Sequence, residues 1–148
     1  MLKRLLDVFK DFQTSGIFRL EGEISTEELS KVAKQHGIAF FLIDGRKINN
    51  KEQFLRNSAQ AMNFPDYFGA NWDAFEDCLT DMSWHETDGF VVLYDNVDTF
   101  AQNSPDQFKV ALEIFRDIIE FWRNQEKFFF VVVRGHAEQL RELPSIVF

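Results

Sequence analysis

Apolar positions along the chain fall into two periods. Helical spacing marks 1 to 13, where Leu2, Leu5, Leu6, Phe9 and Phe12 recur three or four residues apart, and predicts an amphipathic helix. "STEELSKVAKQHG" predicts a second, opened by Ser25 and Glu28 as a capping box and stopped at Gly37. "NNKEQFLRNSAQAMNF" predicts a third behind an Asn cap, with Phe54, Leu55 and Met62 on its apolar side. "SPDQFKVALEIFRDIIEFWRNQ" predicts a long fourth, with Ser104 as N-cap and Pro105 at the first helical position. A short helix is expected near "HAEQLREL".

Between these lie short continuous apolar runs: "IAFFLIDG" (38 to 45), "GFVVLYD" (89 to 95) and "KFFFVVVRG". Strands apolar on both faces, alternating with helices, predict an α/β fold with a three-stranded parallel sheet flanked by helices. "GIFRLEGEI" adds a short strand upstream, so residues 1–36 read as an N-terminal α/β extension to a domain spanning 37–148.

The chain has 148 residues, enough for one domain with a sizeable core, and its 18 Phe predict a core built heavily from rings. No apolar run is long enough to span a membrane, and "MLKRLLDVFKDF" lacks the features of a signal peptide. The single cysteine, Cys78, cannot form an internal disulfide, which agrees with a cytoplasmic protein.

Charge changes the picture most. The net charge of −8 argues against nucleic acid as a partner. Between Arg56 and Lys109 there are ten acids and no Lys or Arg, whereas the remaining residues hold 16 bases and 14 acids. One region supplies all the acidity. Its densest part is "NWDAFEDCLTDM", a helix capped by Asn71. On a helical wheel Trp72, Phe75, Cys78, Leu79 and Met82 fall on one side and Asp73, Glu76, Asp77, Thr80 and Asp81 on the other.

Solvated helix faces usually mix signs. Here Asp73–Asp77 and Asp77–Asp81 are like-charge pairs at i,i+4, each costing about 0.2–0.5 kcal/mol. The positive helix end offsets this for Asp73 alone. Three readings remain: a solvated face, a carboxylate metal or catalytic site, and a docking surface for a strongly basic protein. The second is the weakest. No Ca²⁺-loop, zinc-type or phosphate-cradling spacing occurs, and a convex face offers no cleft. The expectation is therefore a non-enzyme without cofactor or metal.

"FPDYFGANWDAFEDCLT" resembles the signature of the barstar family, intracellular inhibitors of small secreted ribonucleases. It keeps the aromatic pair Tyr67 and Phe68, then Gly69, Asn71, Asp73 and Asp77-Cys78-Leu79-Thr80. "FFLIDGRKINNKEQF", "VALEIFRDI" and "FFFVVV" extend the likeness over about residues 37 to 134. The resemblance implies a barstar-like fold and a protein partner, a basic ribonuclease or toxin nuclease, whose active site an acidic helix plugs.

By matching position, Asp77 would fill a phosphate site and Asp73 would pair with basic groups beside it. Tyr67 would pack on the base-binding region, Thr80 would contact the rim, and Asp117 would reach the same interface. Gly69 and Asn71 would shape the loop that enters the helix. The family's aromatic contact residue is Glu76 here and an aliphatic one is Trp72, which can replace the lost ring from a neighbouring position. Phe68 and Asp81 complete the candidate partner-binding set. The alternative is an acidic interaction module for some other basic protein.

Overall fold

A computed structural model of the chain describes residues 3–4, 11–65, 69–82, 85, 87 and 89–147. Six strands form one sheet: β1 (Lys3–Arg4), β2 (Ile17–Glu21), β3 (Ile38–Asp44), β4 (Gly89–Asp95), β5 (Phe128–Val133) and β6 (Ser145–Val147). Their order is β1-β6-β2-β5-β4-β3, and every pairing is parallel. The helices are α1 (Thr26–Gln35), α2 (Lys51–Met62), α3 (Trp72–Asp81), α4 (Asp98–Asn103) and α5 (Pro105–Asn124).

The three expected strands are present as β3, β4 and β5, but a three-stranded sheet is too small a description. β2 pairs with β5 through Ile17↔Val131 and its neighbours, and β6 pairs with β2, so the sheet has five strands of three residues or more. The sixth, Lys3–Arg4, lies alongside Ile146 and Val147. The cause is the edge of β5, whose unpaired backbone groups would be costly to leave bare at the centre of an apolar sheet. Most of the helix expected over 1 to 13 lies outside the described residues. Its described parts are the β1 pairing and a single 3-10 turn, Phe12–Thr14. The helix expected near "HAEQLREL" is likewise one 3-10 turn, Glu138–Leu140.

Connections from β3 to β4 and from β4 to β5 move the same way along the sheet. Their helices α2, α3, α4 and α5 pack over one face, against Phe41, Ile43, Phe90, Val92, Tyr94, Phe129 and Val131. The connection from β2 to β3 runs in the opposite direction, so α1 covers the other face with Leu29, Val32 and Ala33 against Ile38, Val91, Leu93, Phe130 and Val132. β4, flanked by strands on both sides and helices on both faces, is buried from Gly89 through Tyr94. β3, at the edge, shows the alternation of a strand with one open side.

Phenylalanine does much of the packing. Phe54 of α2 lies within 5.4–6.2 Å, centroid to centroid, of Trp72, Phe75, Tyr94, Phe100 and Phe115. Removing such a ring typically costs about 3–5 kcal/mol. Two glycines are fixed by close approach. A Cβ at Gly45 would sit 2.2 Å from the Asn96 carbonyl oxygen, and one at Gly89 would sit 2.5 Å from the Phe128 Cβ.

The carboxyl ends of the strands are tied together by charge. Arg134, just after β5, makes paired hydrogen bonds to the Asp95 carboxylate at 3.1 and 3.2 Å. It also donates to the Ile24 carbonyl (2.7 Å) and Thr26 Oγ1 (3.3 Å), joining α1's entry to the centre of the sheet. Asp98 accepts the His136 and Ala137 backbone N–H groups at 2.8 and 2.7 Å.

Candidate protein interface on an acidic helix

Local chemistry sets both ends of α3. Asn71 has extended backbone (φ −135°, ψ 171°), and its Oδ1 accepts the Ala74 N–H at 2.8 Å, as an N-cap requires. Its Nδ2 leans toward the Gly69 carbonyl at 3.4 Å. Ala70 and Met82 both take left-handed backbone (φ 53° and 48°), so a reversal bounds the helix on each side. At the far end the Met82 N–H bonds the Cys78 carbonyl (3.1 Å), and Trp122 Nε1 donates to the Leu79 carbonyl (2.8 Å). These bonds satisfy carbonyls that a helix end leaves without partners.

Phe75, Cys78, Leu79 and Met82 are buried, as the wheel requires. Burial pushes the Cys78 thiol above its ordinary pKa, and the Asp77 and Asp81 carboxylates add to the shift. That sulfur is a small core hydrophobe rather than a nucleophile. Trp72 is half-buried. Its Nε1 donates to Gln107 Oε1 of α5 at 2.9 Å, its ring packs on Phe54 and Phe75, and Lys51 Nζ stands 5.8 Å from the ring centroid. Thus Trp72 carries one apolar ring to the border of the acidic face, held from α2 and α5.

On the outer side Asp73, Asp77 and Asp81 are exposed and Glu76 and Thr80 half-buried. The Thr80 hydroxyl donates back to the Glu76 and Asp77 carbonyls at 3.0 and 3.1 Å, leaving its lone pairs free to accept. The salt bridges among the described residues all lie elsewhere, and none involves Asp73, Glu76 or Asp77. Asp117 is exposed on α5, the helix against which α3 packs. Gly69 and Asn71 are exposed at the entry to the helix, while Tyr67 and Phe68 lie outside the described residues.

So Asn71, Trp72, Asp73, Glu76, Asp77, Thr80 and Asp81 share one short helix, with Asp117 on its neighbour. Gln107 and Lys51, which hold Trp72, carry no sequence signal for that role. Each sits at least 21 residues away in the chain and reaches the ring only through the fold. Among the described residues no group of three or more His, Cys, Asp or Glu side chains could hold a metal ion, and no helix is long and apolar enough to cross a membrane.

The sequence profile of Barstar (barnase inhibitor) matches residues 38–134, which include β3 through β5 and all of α3. The chain belongs to the barstar family. A Bacillus subtilis (strain 168) protein named "Putative ribonuclease inhibitor YrdF" is 32% identical over 88 residues, which cover 58% of this chain and 91% of that one.

Among solved structures, the Aeropyrum pernix ORC2 protein in its ADP form superposes with a TM-score of 0.66 at 12% identity, over 97% of this chain and 45% of that one. Cdc6p from Pyrobaculum aerophilum superposes at 0.56 and 18% identity, over 86% of this chain and 34% of that one. The chain spans less than half the length of either. At such identities the likeness is one of fold: a parallel sheet between helical layers. It carries nothing about a ligand or an activity to this barstar-family chain.

Proposed function

We propose that this chain binds a small basic ribonuclease, or a related toxin nuclease, and blocks its active site with the outer face of α3. The observation that carries the reading is Asp73, Glu76 and Asp77 side by side on one capped helix, with no salt bridge to any of the described residues. Carboxylates at fixed spacing present an Arg- and Lys-lined site with the pattern of charge it evolved to hold as phosphates. Asp77, central and exposed, is the residue for the phosphate position. Asp73 pairs with the basic groups beside it, Asp81 extends the row, and Asp117 adds charge from α5.

Trp72 and Glu76 set this chain's own preference. The half-buried ring offers an apolar anchor beside the carboxylates, and Glu76 brings a further charge to a nuclease able to pair it. Membership of the barstar family and the relative's name support inhibition rather than catalysis.

The test is RNA cleavage by a panel of small basic ribonucleases, with purified chain added to micromolar concentration. Inhibition of one or more is expected, and it should weaken steeply as salt rises because the encounter is steered by charge. Unchanged cleavage across the panel would instead make this an acidic module for another basic protein.

A further inference from the structure

Among the described residues, no strand covers the outer edge of β3. On its other side β3 bonds β4, in unbroken register from Ile38↔Gly89 to Asp44↔Asp95. Soluble proteins blunt such edges with Pro, Lys, a bulge or a covering segment. "IAFFLID" has no Pro, no Lys and no bulge. Leu42 is 39% exposed on it, the most exposed large hydrophobic among the described residues, and Phe40 is half-buried. The backbone is also ready to pair. Thr87 Oγ1, beside the start of β4, takes the Ala39 N–H and donates to the Gly37 carbonyl. Backbone groups alternate sides along a strand, so those of Phe40 and Leu42 face outward.

α1 runs beside this edge, antiparallel to β3 because only a tight turn joins them. Glu27, Ser30, Lys31 and Lys34 lie on one stripe of it and, with Phe40 and Leu42, line a groove of about 560 Å³. The stripe is acidic at its start and basic at its end, and none of its charges is in a salt bridge among the described residues.

We propose that this edge pairs with the same edge of a second copy of the chain, joining two sheets through antiparallel β3 strands about a two-fold axis. With the axis at Phe41, Phe40 of each copy stands opposite Leu42 of the other on the α1 face, and both rings and side chains leave water. The two α1 helices then lie antiparallel, bringing Glu27 of each copy to Lys34 of the other and Ser30 to Lys31. The surface is complementary to itself, which is what a closed two-fold contact needs and what a foreign strand would meet only by coincidence. α3 lies on the opposite face of the sheet, so both acidic faces stay open and the dimer is bivalent.

Light scattering with size exclusion on the full chain, from about 1 to 100 μM, tests this. A dimer that dissociates on dilution is expected. Leu42→Lys should be monomeric throughout, with unchanged circular dichroism and thermal melt. Glu27→Lys and Lys34→Glu alone should each raise Kd at least tenfold. Mixed one to one, they should dimerise again, since the mixed pair carries opposite charges at both contacts. A wild-type chain monomeric at about 100 μM, a dimer indifferent to Leu42→Lys, or a mixture no tighter than its parts would overturn the proposal.

Discussion

Two sets of carboxylates in this molecule are treated differently. At the carboxyl rim of the sheet each acid has its partner in the chain: Asp44 with Arg46 at 2.8 Å, Asp95 with Arg134, and Asp98 with two backbone N–H groups. The Arg46 guanidinium holds the Asp44 carboxyl below its ordinary pKa. On the outer face of α3, Asp73, Glu76 and Asp77 have no such cation among the described residues. Nothing in the composition prevents pairing; the described bases that form salt bridges do so elsewhere. Asp95 and Asp98 tie separate elements of the fold together, whereas Asp77 slightly weakens its own helix. Under the proposed function, a charge that weakens its own helix is accounted for by the partner.

Removing one member of each set should separate them. In complex with an inhibited ribonuclease, Asp77→Ala leaves the enzyme's cations buried without a partner. Truncations of that kind cost about 2–5 kcal/mol, a range that owes part of its evidence to the barnase–barstar complex itself. Isothermal titration should show affinity falling by that amount while the melting temperature does not drop. An unchanged Kd would remove Asp77 from the interface.

Arg134→Met should do the reverse. It leaves Asp95 alone, and frees the Ile24 carbonyl and Thr26 hydroxyl that anchor the start of α1. Both members of the pair keep about a quarter of their side-chain exposure (24% and 28%), so the full cost of a buried pair does not apply. About 2 kcal/mol is expected, read as a fall of several degrees in melting temperature, with inhibition unaffected at temperatures where the variant is folded. Asp98→Ala should cost about 1–2 kcal/mol, because the His136 and Ala137 N–H groups lose their acceptor while water can partly replace it. Loss of inhibition by the folded rim variants would blur the line between the two sets.

The same division explains what could be read from the sequence. β4 has the bounds its apolar run predicts, and Ser25, Asn50 and Asn71 each cap the helix they precede, because strand burial and capping are short-range chemistry. The two faces of α3 were legible for the same reason. Ser104 was not: it precedes α5 as expected, but its hydroxyl donates to the Asn49 carbonyl 55 residues away instead of capping. The larger sheet was hidden because β6 is three residues long and β1 two, and neither has a period. Only the edge they complete makes them strands. At the site, the wheel set Trp72 on the apolar side, at its edge, but Gln107 and Lys51 are brought to it by the packing of α2 and α5.

The smallest effect is the most discriminating. Asp77 sits at i,i+4 from both Asp73 and Asp81, and it lies toward the negative end of the helix. Asp77→Asn keeps the shape and the helix propensity but removes two repulsive pairs, so the free chain should gain about 0.4–1 kcal/mol. For a domain of this size that is roughly 1–4 °C in melting temperature. The gain should shrink as salt approaches about 1 M, because exposed charges a few ångströms apart are then screened. The same substitution should weaken inhibition. A rim acid replaced by its amide should lose stability instead, since it gives up a partner in the fold. If Asp77→Asn destabilises the free chain, its carboxylate has a role inside the molecule, and the contrast between the two sets fails at its central residue.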